Sequence, residues 1–127
     1  MQLALVDDLP FATVAVAYQN KMVAINNVLI DTGSATTVLA TDRVAQIGLV
    51  PAADDILYTI RGVGGAEVVF ARQVDYLQLG QRQLADFEVE VGGMDYGFEI
   101  NGILGMDFLT RARAVIDLGK LIIEFTD

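Results

Sequence analysis

The chain has 127 residues, of which 54% are hydrophobic, so it can bury a sizeable core and is not expected to be disordered. Seventeen acidic against eight basic residues give a net charge of −9, which argues against nucleic acid or an anionic membrane surface as a partner. Cysteine and histidine are both missing, which excludes a disulfide framework, a zinc finger, a cysteine protease and a histidine-dependent triad. Acid–base chemistry therefore falls to carboxylates, lysine or tyrosine.

The length suits one domain, and we expect residues 1–127 to form it. No stretch approaches about 18 consecutive apolar residues, the length that a membrane-spanning helix needs. The first eight residues lack the basic region and apolar core of a signal peptide. These features predict a soluble, cytoplasmic protein.

Short runs of β-branched and alternating residues dominate the chain. In chain order they predict strands over Thr13–Tyr18, Met22–Ile25, Val28–Ile30, Val74–Leu79, Phe87–Val91, Ala114–Asp117 and Leu121–Phe125. Val28–Ile30 is continuously apolar, as in a strand that is covered on both faces. The last two runs flank Leu118–Lys120 and are typical of a closing hairpin.

Two short helices are expected between the strands. Thr41–Gly48 has a capping threonine, an acidic first turn and a terminal glycine. Asp107–Arg113 begins with an acidic residue and ends with a basic one, in agreement with the helix dipole. The predicted fold class is therefore mostly β with one or two short helices.

The segment with the clearest chemistry is Leu29–Leu39, in which Asp31, Thr32, Gly33 and Ser34 follow an apolar strand. A lone ionised carboxylate beside a buried strand faces a large desolvation cost. The simplest interpretation of such a tripeptide is a turn, because Asp and Gly favour turns. The rest of the sequence favours a functional interpretation.

The segment resembles the active-site loop of aspartic proteases, in which Asp-Thr-Gly-Ser/Ala also follows an apolar strand. A second element, Asn101–Leu109, is similar to the paired apolar residues and glycine that precede a short helix in retropepsin-like members. Between the two, Tyr58–Ala66 resembles the flap of that family, with its glycine-rich tip. The resemblance implies a retropepsin-like, closed β-barrel fold with one lobe in each chain, and an aspartic endopeptidase activity.

Aspartic catalysis needs two carboxylates that share one proton, and this chain has one Asp-Thr-Gly. Asp117, followed by Leu118 and Gly119, lacks the threonine hydroxyl and suits a hairpin turn better. A two-fold homodimer supplies the second carboxylate, because its axis brings Asp31 of one chain to Asp31 of the other. We also expect the terminal strands to add to this interface, since the apolar hairpin at Leu121–Phe125 would otherwise present an open edge.

The resemblance assigns roles to the neighbours of Asp31. It implies that the Thr32 hydroxyl crosses to the loop of the partner and that Gly33 leaves no side chain between the two carboxylates. We expect Ser34 to support the site by donating to Asp31, which would lower a pKa of the pair. Thr37 matches a recurring threonine of the family, and we expect a structural role for it.

At the flap, the backbone groups of Gly62, Val63 and Gly64 are expected to close over an extended peptide. An ordinary hairpin turn is the alternative for these glycines. The sequence departs from many retroviral enzymes in having Ala35 and Met106 where those have an Asp and an Arg that pair. Because both partners of the pair are replaced, no charge is left uncompensated, but substrate anchoring must differ.

The acidic pairs Asp7–Asp8 and Asp54–Asp55 lack the ligand spacing of a calcium loop and are expected to be solvated turns. We therefore predict an aspartic endopeptidase that works as a homodimer on peptide or protein substrates, with no metal and no organic cofactor. The alternative is a non-catalytic peptide-binding or dimerisation module that retains the same fold.

Overall fold

The computed structural model of the protein describes residues 1–62, 65–94 and 97–127. Within these ranges, ten strands and two α-helices run in chain order as β1 (Ala4–Val6), β2 (Leu9–Tyr18), β3 (Lys21–Ile30), β4 (Val38–Ala40), α1 (Thr41–Val44), β5 (Leu57–Gly62), β6 (Gly65–Leu79), β7 (Arg82–Gly92), β8 (Gly102–Leu104), α2 (Met106–Arg111), β9 (Ala114–Asp117) and β10 (Ile122–Phe125). A 3-10 turn, Ala45–Ile47, follows α1. The mostly β prediction is confirmed.

Eight of the strands form one sheet in the order β1-β2-β3-β8-β4-β7-β6-β5, and β2 also pairs with β6. The two pairings that place the candidate site are parallel, β3 with β8 and β4 with β7. Strands β9 and β10 form a separate two-stranded sheet. Closure of the large sheet into a barrel stays a prediction.

Strand β3 is longer than the sequence indicates. The runs Met22–Ile25 and Val28–Ile30 predict two separate strands, but one strand contains both. Asn26 and Asn27 interrupt the apolar pattern, and Asn27 has a φ of 54°. Asparagine tolerates this left-handed conformation, so the strand continues through a local irregularity in its pairing with β2.

The helix expected over Thr41–Gly48 is divided into α1 and the 3-10 turn, and it ends as predicted at Gly48, with a φ of 82°. The predicted cap at Thr41 is wrong. Ala40 is the N-cap residue and no side chain caps the helix, because β4 continues to Ala40 and Thr41 already lies inside the helix. The second helix, α2, begins at Met106, one residue before its predicted start.

The main buried cluster joins strands of the large sheet with Val44 of α1 and with Phe108 and Leu109 of α2. Its largest fully buried side chains are Phe87, Phe108, Ile25, Leu39, Leu49, Leu77, Leu79, Leu104 and Ile123. The rings of Phe87 on β7 and Phe108 on α2 meet edge to face with their centroids 5.7 Å apart. This contact fixes α2, and with it the loop that α2 supports, against the central strands.

The predicted hairpin is confirmed as β9 and β10, but its edge is not open. The Leu3 amide donates to the Leu121 carbonyl at 2.8 Å, and the Ile123 amide donates to the Met1 carbonyl at 2.9 Å. The amino-terminal residues of the same chain therefore occupy the edge of β10, and Ile123 is fully buried. The premise of an open edge is wrong, because the protein covers this edge with its own first residues, while a contribution of the terminal strands to a dimer interface stays a prediction.

None of the helices in the described ranges has both the length and the apolar character needed to cross a membrane.

Candidate active site

Asp31 lies immediately after β3, where that strand runs beside β8. Leu29 pairs with Ile103 and Ile30 pairs with Leu104 in parallel register. The Asp31 amide continues the ladder by donating to the Leu104 carbonyl at 3.0 Å. The two sequence elements that carry the resemblance, about seventy residues apart, are therefore adjacent in the fold.

A tight turn presents the Asp31 carboxylate. The Gly33 amide donates to Asp31 Oδ1 at 2.9 Å, and the Ser34 amide donates to the Asp31 carbonyl at 3.2 Å. A Cβ atom on Gly33 would lie 3.2 Å from Asp31 Oδ1 and would crowd it. Asp31 is half-buried and Thr32 is exposed, so the loop presents both side chains at the surface of the chain.

The Ser34 hydroxyl does not donate to Asp31. It donates to the Thr36 carbonyl at 2.7 Å, so the predicted Ser34–Asp31 bond is wrong. A local acceptor two residues ahead is available in the turn itself, and serine hydroxyls commonly bond such backbone groups. Ser34 supports the shape of the loop.

Thr37 anchors the far end of the loop and is completely buried. Its hydroxyl donates to Asp107 Oδ1 at 2.7 Å and accepts from the Gly105 amide at 3.0 Å, while its amide donates to Asp107 Oδ2 at 3.1 Å. Asp107 Oδ1 also accepts from the Phe108 amide at 2.7 Å. The carboxylate of Asp107, which the sequence identifies only as an acidic helix start, therefore ties the loop to α2.

Replacing Thr37 with Val is expected to lower the free energy of unfolding. The change keeps the side-chain shape but leaves the buried Gly105 amide without its partner, a loss that costs about 1–3 kcal/mol, and it removes one of the two bonds to Asp107 Oδ1. Urea unfolding at a fixed protein concentration measures the effect. Thr110→Val is the matched control, because the Thr110 hydroxyl bonds the Met106 carbonyl on an exposed helix face. Equal losses in the two variants would contradict the anchoring role.

The loop and the start of α2 also meet backbone to backbone. The Met106 amide donates to the Ser34 carbonyl at 2.8 Å, and the Asp107 amide donates to the Ala35 carbonyl at 3.2 Å. A Cβ atom on Gly105 would lie 2.3 Å from the Thr36 carbonyl oxygen, so a glycine is required there. The Ala35 and Met106 positions are adjacent through backbone contacts, without the charged pair of many retroviral enzymes.

The expected flap coincides with the hairpin of β5 and β6. Strand pairing runs from Leu57 with Phe70 to Gly62 with Gly65. Val63 and Gly64, two of the three residues predicted to close over a peptide, lie outside the described residues.

The other candidate carboxylates have different roles. Asp117 Oδ1 accepts from the Lys120 amide at 3.0 Å in the β9–β10 turn, as the turn interpretation predicts.

Asp55 is not a solvated turn residue. Its carboxylate receives two bonds from Arg72 Nη2, at 2.9 and 2.7 Å, and accepts from the Ala52 amide. Arg72 also donates to the Tyr18 hydroxyl at 2.9 Å, so this cluster joins the segment before β5 to β6 and β2.

The amide of Ala52, together with the Arg72 guanidinium, lowers the pKa of Asp55 below its ordinary value. A carboxyl with a lowered pKa in the folded state stabilises the fold above its unfolded pKa of about 3.9, and this contribution is lost as the pH falls through the folded value. Asp55→Asn is therefore expected to be less stable than the wild type at neutral pH, with the difference shrinking below about pH 4. Thermal unfolding from pH 3 to 7 measures it, and a constant difference would contradict this role.

Among the residues that the structure describes, no group of three or more acidic side chains is placed to hold a metal ion. The candidate site is a single surface carboxylate on a loop whose backbone is fixed by α2.

The family described as "Aspartyl protease" matches residues 14–108, which include Asp31, the β5–β6 hairpin and the start of α2. The chain belongs to this aspartyl protease family, which confirms the resemblance of the sequence. No curated protein sequence matches the chain.

Two solved structures show the retropepsin-like fold. A retropepsin-like aspartic protease from Rickettsia conorii superposes with a TM-score of 0.65 at 19% identity, over 93% of this chain and 91% of that one. The EIAV protease complexed with the inhibitor HBY-793 superposes with a TM-score of 0.62 at 23% identity, over 91% of this chain and 98% of that one. Both likenesses concern the fold.

Proposed function

We propose that the protein is an aspartic endopeptidase whose active site forms when two copies of the chain bring their Asp31 carboxylates together. The observation that carries the proposal is the surface position of Asp31 on a loop held by backbone bonds to Leu104, Met106 and Asp107. Thr32 is exposed beside it, with its hydroxyl accessible to a second chain. A cytoplasmic, single-domain protein remains our expectation.

The chemistry follows from the proximity of two like charges. Two carboxylates in hydrogen-bond contact cannot both ionise readily, so the pair holds one proton over a range of pH. The ionised member takes a proton from the attacking water, and the protonated member donates to the carbonyl of the scissile peptide bond. The close approach of Gly33 to Asp31 Oδ1 supports this arrangement, because a side chain there would crowd the carboxylate.

Substrates in this proposal are peptides in an extended conformation. The β5–β6 hairpin supplies Gly62 at its end, and the backbone of Gly62, Val63 and Gly64 would add strand-like hydrogen bonds to the peptide and exclude water.

The bond from Ser34 to Thr36 changes what is expected of the pH dependence of cleavage. Because the Ser34 hydroxyl does not contact Asp31, Ser34→Ala is expected to leave the lower apparent pKa of the pH–rate profile within about 0.3 units of the wild type. pH–rate profiles of the wild type and the variant measure this apparent pKa. They are recorded in about 0.5 M salt, where the Debye length is well below its value of about 10 Å at 0.1 M. A rise of about one unit in the variant would show that Ser34 donates to the pair after all.

A peptide-binding or dimerisation module without catalysis is the competing function, since the fold alone does not require activity. Sedimentation of the wild type from low to high micromolar concentration, together with cleavage of a mixed peptide library, separates the two. We expect a mass that rises to that of a dimer, and cleavage that rises with it. A strict monomer with full activity would overturn the proposal, and a dimer that binds peptides without cutting them would establish the module.

A further inference from the structure

A cavity of about 330 Å³ lies between the β1–β2 turn, β3 and the segment before β8. It is lined by Val6, Asp7, Leu9, Phe11, Asn27, Phe98 and Glu99. Phe11 pairs with Leu29, which precedes Asp31 by two residues, so the cavity begins about 7 Å along the strand from the loop that carries Asp31. That distance is about two residues of an extended peptide.

The walls of the cavity are apolar and largely exposed. The exposed fractions are 49% for Val6, 38% for Leu9 and 47% for Phe98, while Phe11 is buried at 5%. Large apolar side chains that surround a concave space remain available for a ligand, which distinguishes them from scattered surface residues. The walls suit an aliphatic or aromatic group.

The rim of the cavity is acidic. Asp7 lies in the β1–β2 turn and Glu99 lies before β8, so the two carboxylates approach the cavity from different segments of the chain. Both residues are exposed, and neither forms an ion pair within the described ranges. No lysine or arginine lines the cavity as far as the described residues define it. The net charge of −9 adds a field that attracts cations.

We infer that this cavity receives the side chain of a lysine or arginine of the peptide substrate. The aliphatic stem of that side chain packs against Val6, Leu9 and Phe98, and its charged end lies between Asp7 and Glu99. An acidic side chain is repelled, and a neutral apolar one gains only the contact with the walls. The inference rests on the proposed function, because it names the substrates that the Asp31 site cleaves.

The first test is cleavage of a peptide library in which one position is lysine, norleucine or glutamate and the others are mixed. Norleucine has the lysine stem without the charge, so the ratio of the cleavage rates of lysine and norleucine peptides isolates the contribution of the charged end. We expect one position near the scissile bond to favour lysine over norleucine by about two- to fivefold for each carboxylate. The Asp7→Asn/Glu99→Gln double variant should lose this preference, and added salt should reduce it.

Asp86→Asn/Glu88→Gln is the matched control. It removes the same charge from exposed positions that do not line the cavity, and it should keep the preference. Equal cleavage of lysine and norleucine peptides by the wild type, or an equal loss of preference in both double variants, would overturn the inference.

A binding measurement keeps this inference separable from catalysis. Immobilised Asp31→Asn protein is used to select from a random decapeptide library, and the retained peptides are sequenced. We expect lysine and arginine to be enriched, and the enrichment to fall when Asp7→Asn/Glu99→Gln is added but not when Asp86→Asn/Glu88→Gln is added. Enrichment without any cleavage by the wild type would refute the peptidase and support the cavity, whereas equal enrichment by the proteins that carry Asp7→Asn/Glu99→Gln and Asp86→Asn/Glu88→Gln would refute the role of the cavity.

Discussion

Asp31→Asn is expected to abolish peptide cleavage while leaving the fold intact. Asparagine has nearly the same shape and its oxygen can still accept the Gly33 amide, but it cannot exchange a proton with the attacking water. Loss of acid–base catalysis alone costs about 10²–10⁴-fold in rate. Initial rates on the mixed peptide library over pH 3–8, with thermal unfolding measured in parallel, test this expectation.

Asp117→Asn is the control for this prediction. Asp117 also stands between apolar runs and close to a glycine, and its Oδ1 accepts a bond from a turn amide that the asparagine oxygen can accept as well. We expect activity within about twofold of the wild type, since no step of the chemistry is assigned to it. If Asp31→Asn retained full activity at unchanged stability, catalysis by Asp31 would be refuted.

Gly105→Ala is expected to cause a large loss of stability for the addition of a single methyl group. The new Cβ would lie 2.3 Å from the Thr36 carbonyl oxygen and 2.9 Å from the Ser34 carbonyl oxygen, distances that real atoms do not adopt. Because both contacts are with backbone, the loop or α2 must move, at a cost of about 1–3 kcal/mol or more. The midpoint of urea unfolding should fall accordingly, and cleavage should fall further, because the displaced loop carries Asp31.

Gly119→Ala provides the control in the same experiment. Its Cβ would lie no closer than 3.4 Å to any atom, the nearest being Asp117 Oδ1, which is ordinary contact. We expect a change within about 0.5 kcal/mol. Equal midpoints for the Gly105 and Gly119 variants would contradict the packing of the loop against α2.

The sequence predicts those elements that have a local signal. The closing hairpin is predicted to within one residue of its observed bounds, because period and turn residues act over a few neighbours. The alternation in Phe87–Val91 indicates only the second half of β7, which begins at Arg82. The sequence carries no signal for β4 and β8, because three residues each are too few to show a period. These two strands form through pairing with distant partners, which no local pattern records.

The same distinction applies to the candidate site, where residues with a local sequence signal can be predicted and contacts between distant residues cannot. Asp31 and Gly33 can be predicted as site residues because the motif that contains them is contiguous. The link from Thr37 to Asp107 spans seventy residues, and the pair of Asp55 with Arg72 joins a loop to a strand, so neither had a signal in the spacing alone. The error at Ser34 has a related cause, since the motif does not record which acceptor the turn offers, and the serine hydroxyl bonds the local carbonyl of Thr36.

Mixing the wild type with Asp31→Asn tests the central claim, that each active site needs Asp31 from two chains. The wild type is held at a fixed concentration, increasing amounts of the variant are added, and the chains are allowed to exchange before cleavage is measured. If both aspartates are required, random pairing makes the activity per wild-type chain fall in proportion to the wild-type fraction of all chains, to about half at an equal mixture. Asp117→Asn added instead should raise the activity. Activity that stays constant as Asp31→Asn is added would show that one chain cleaves alone, and would contradict the shared site.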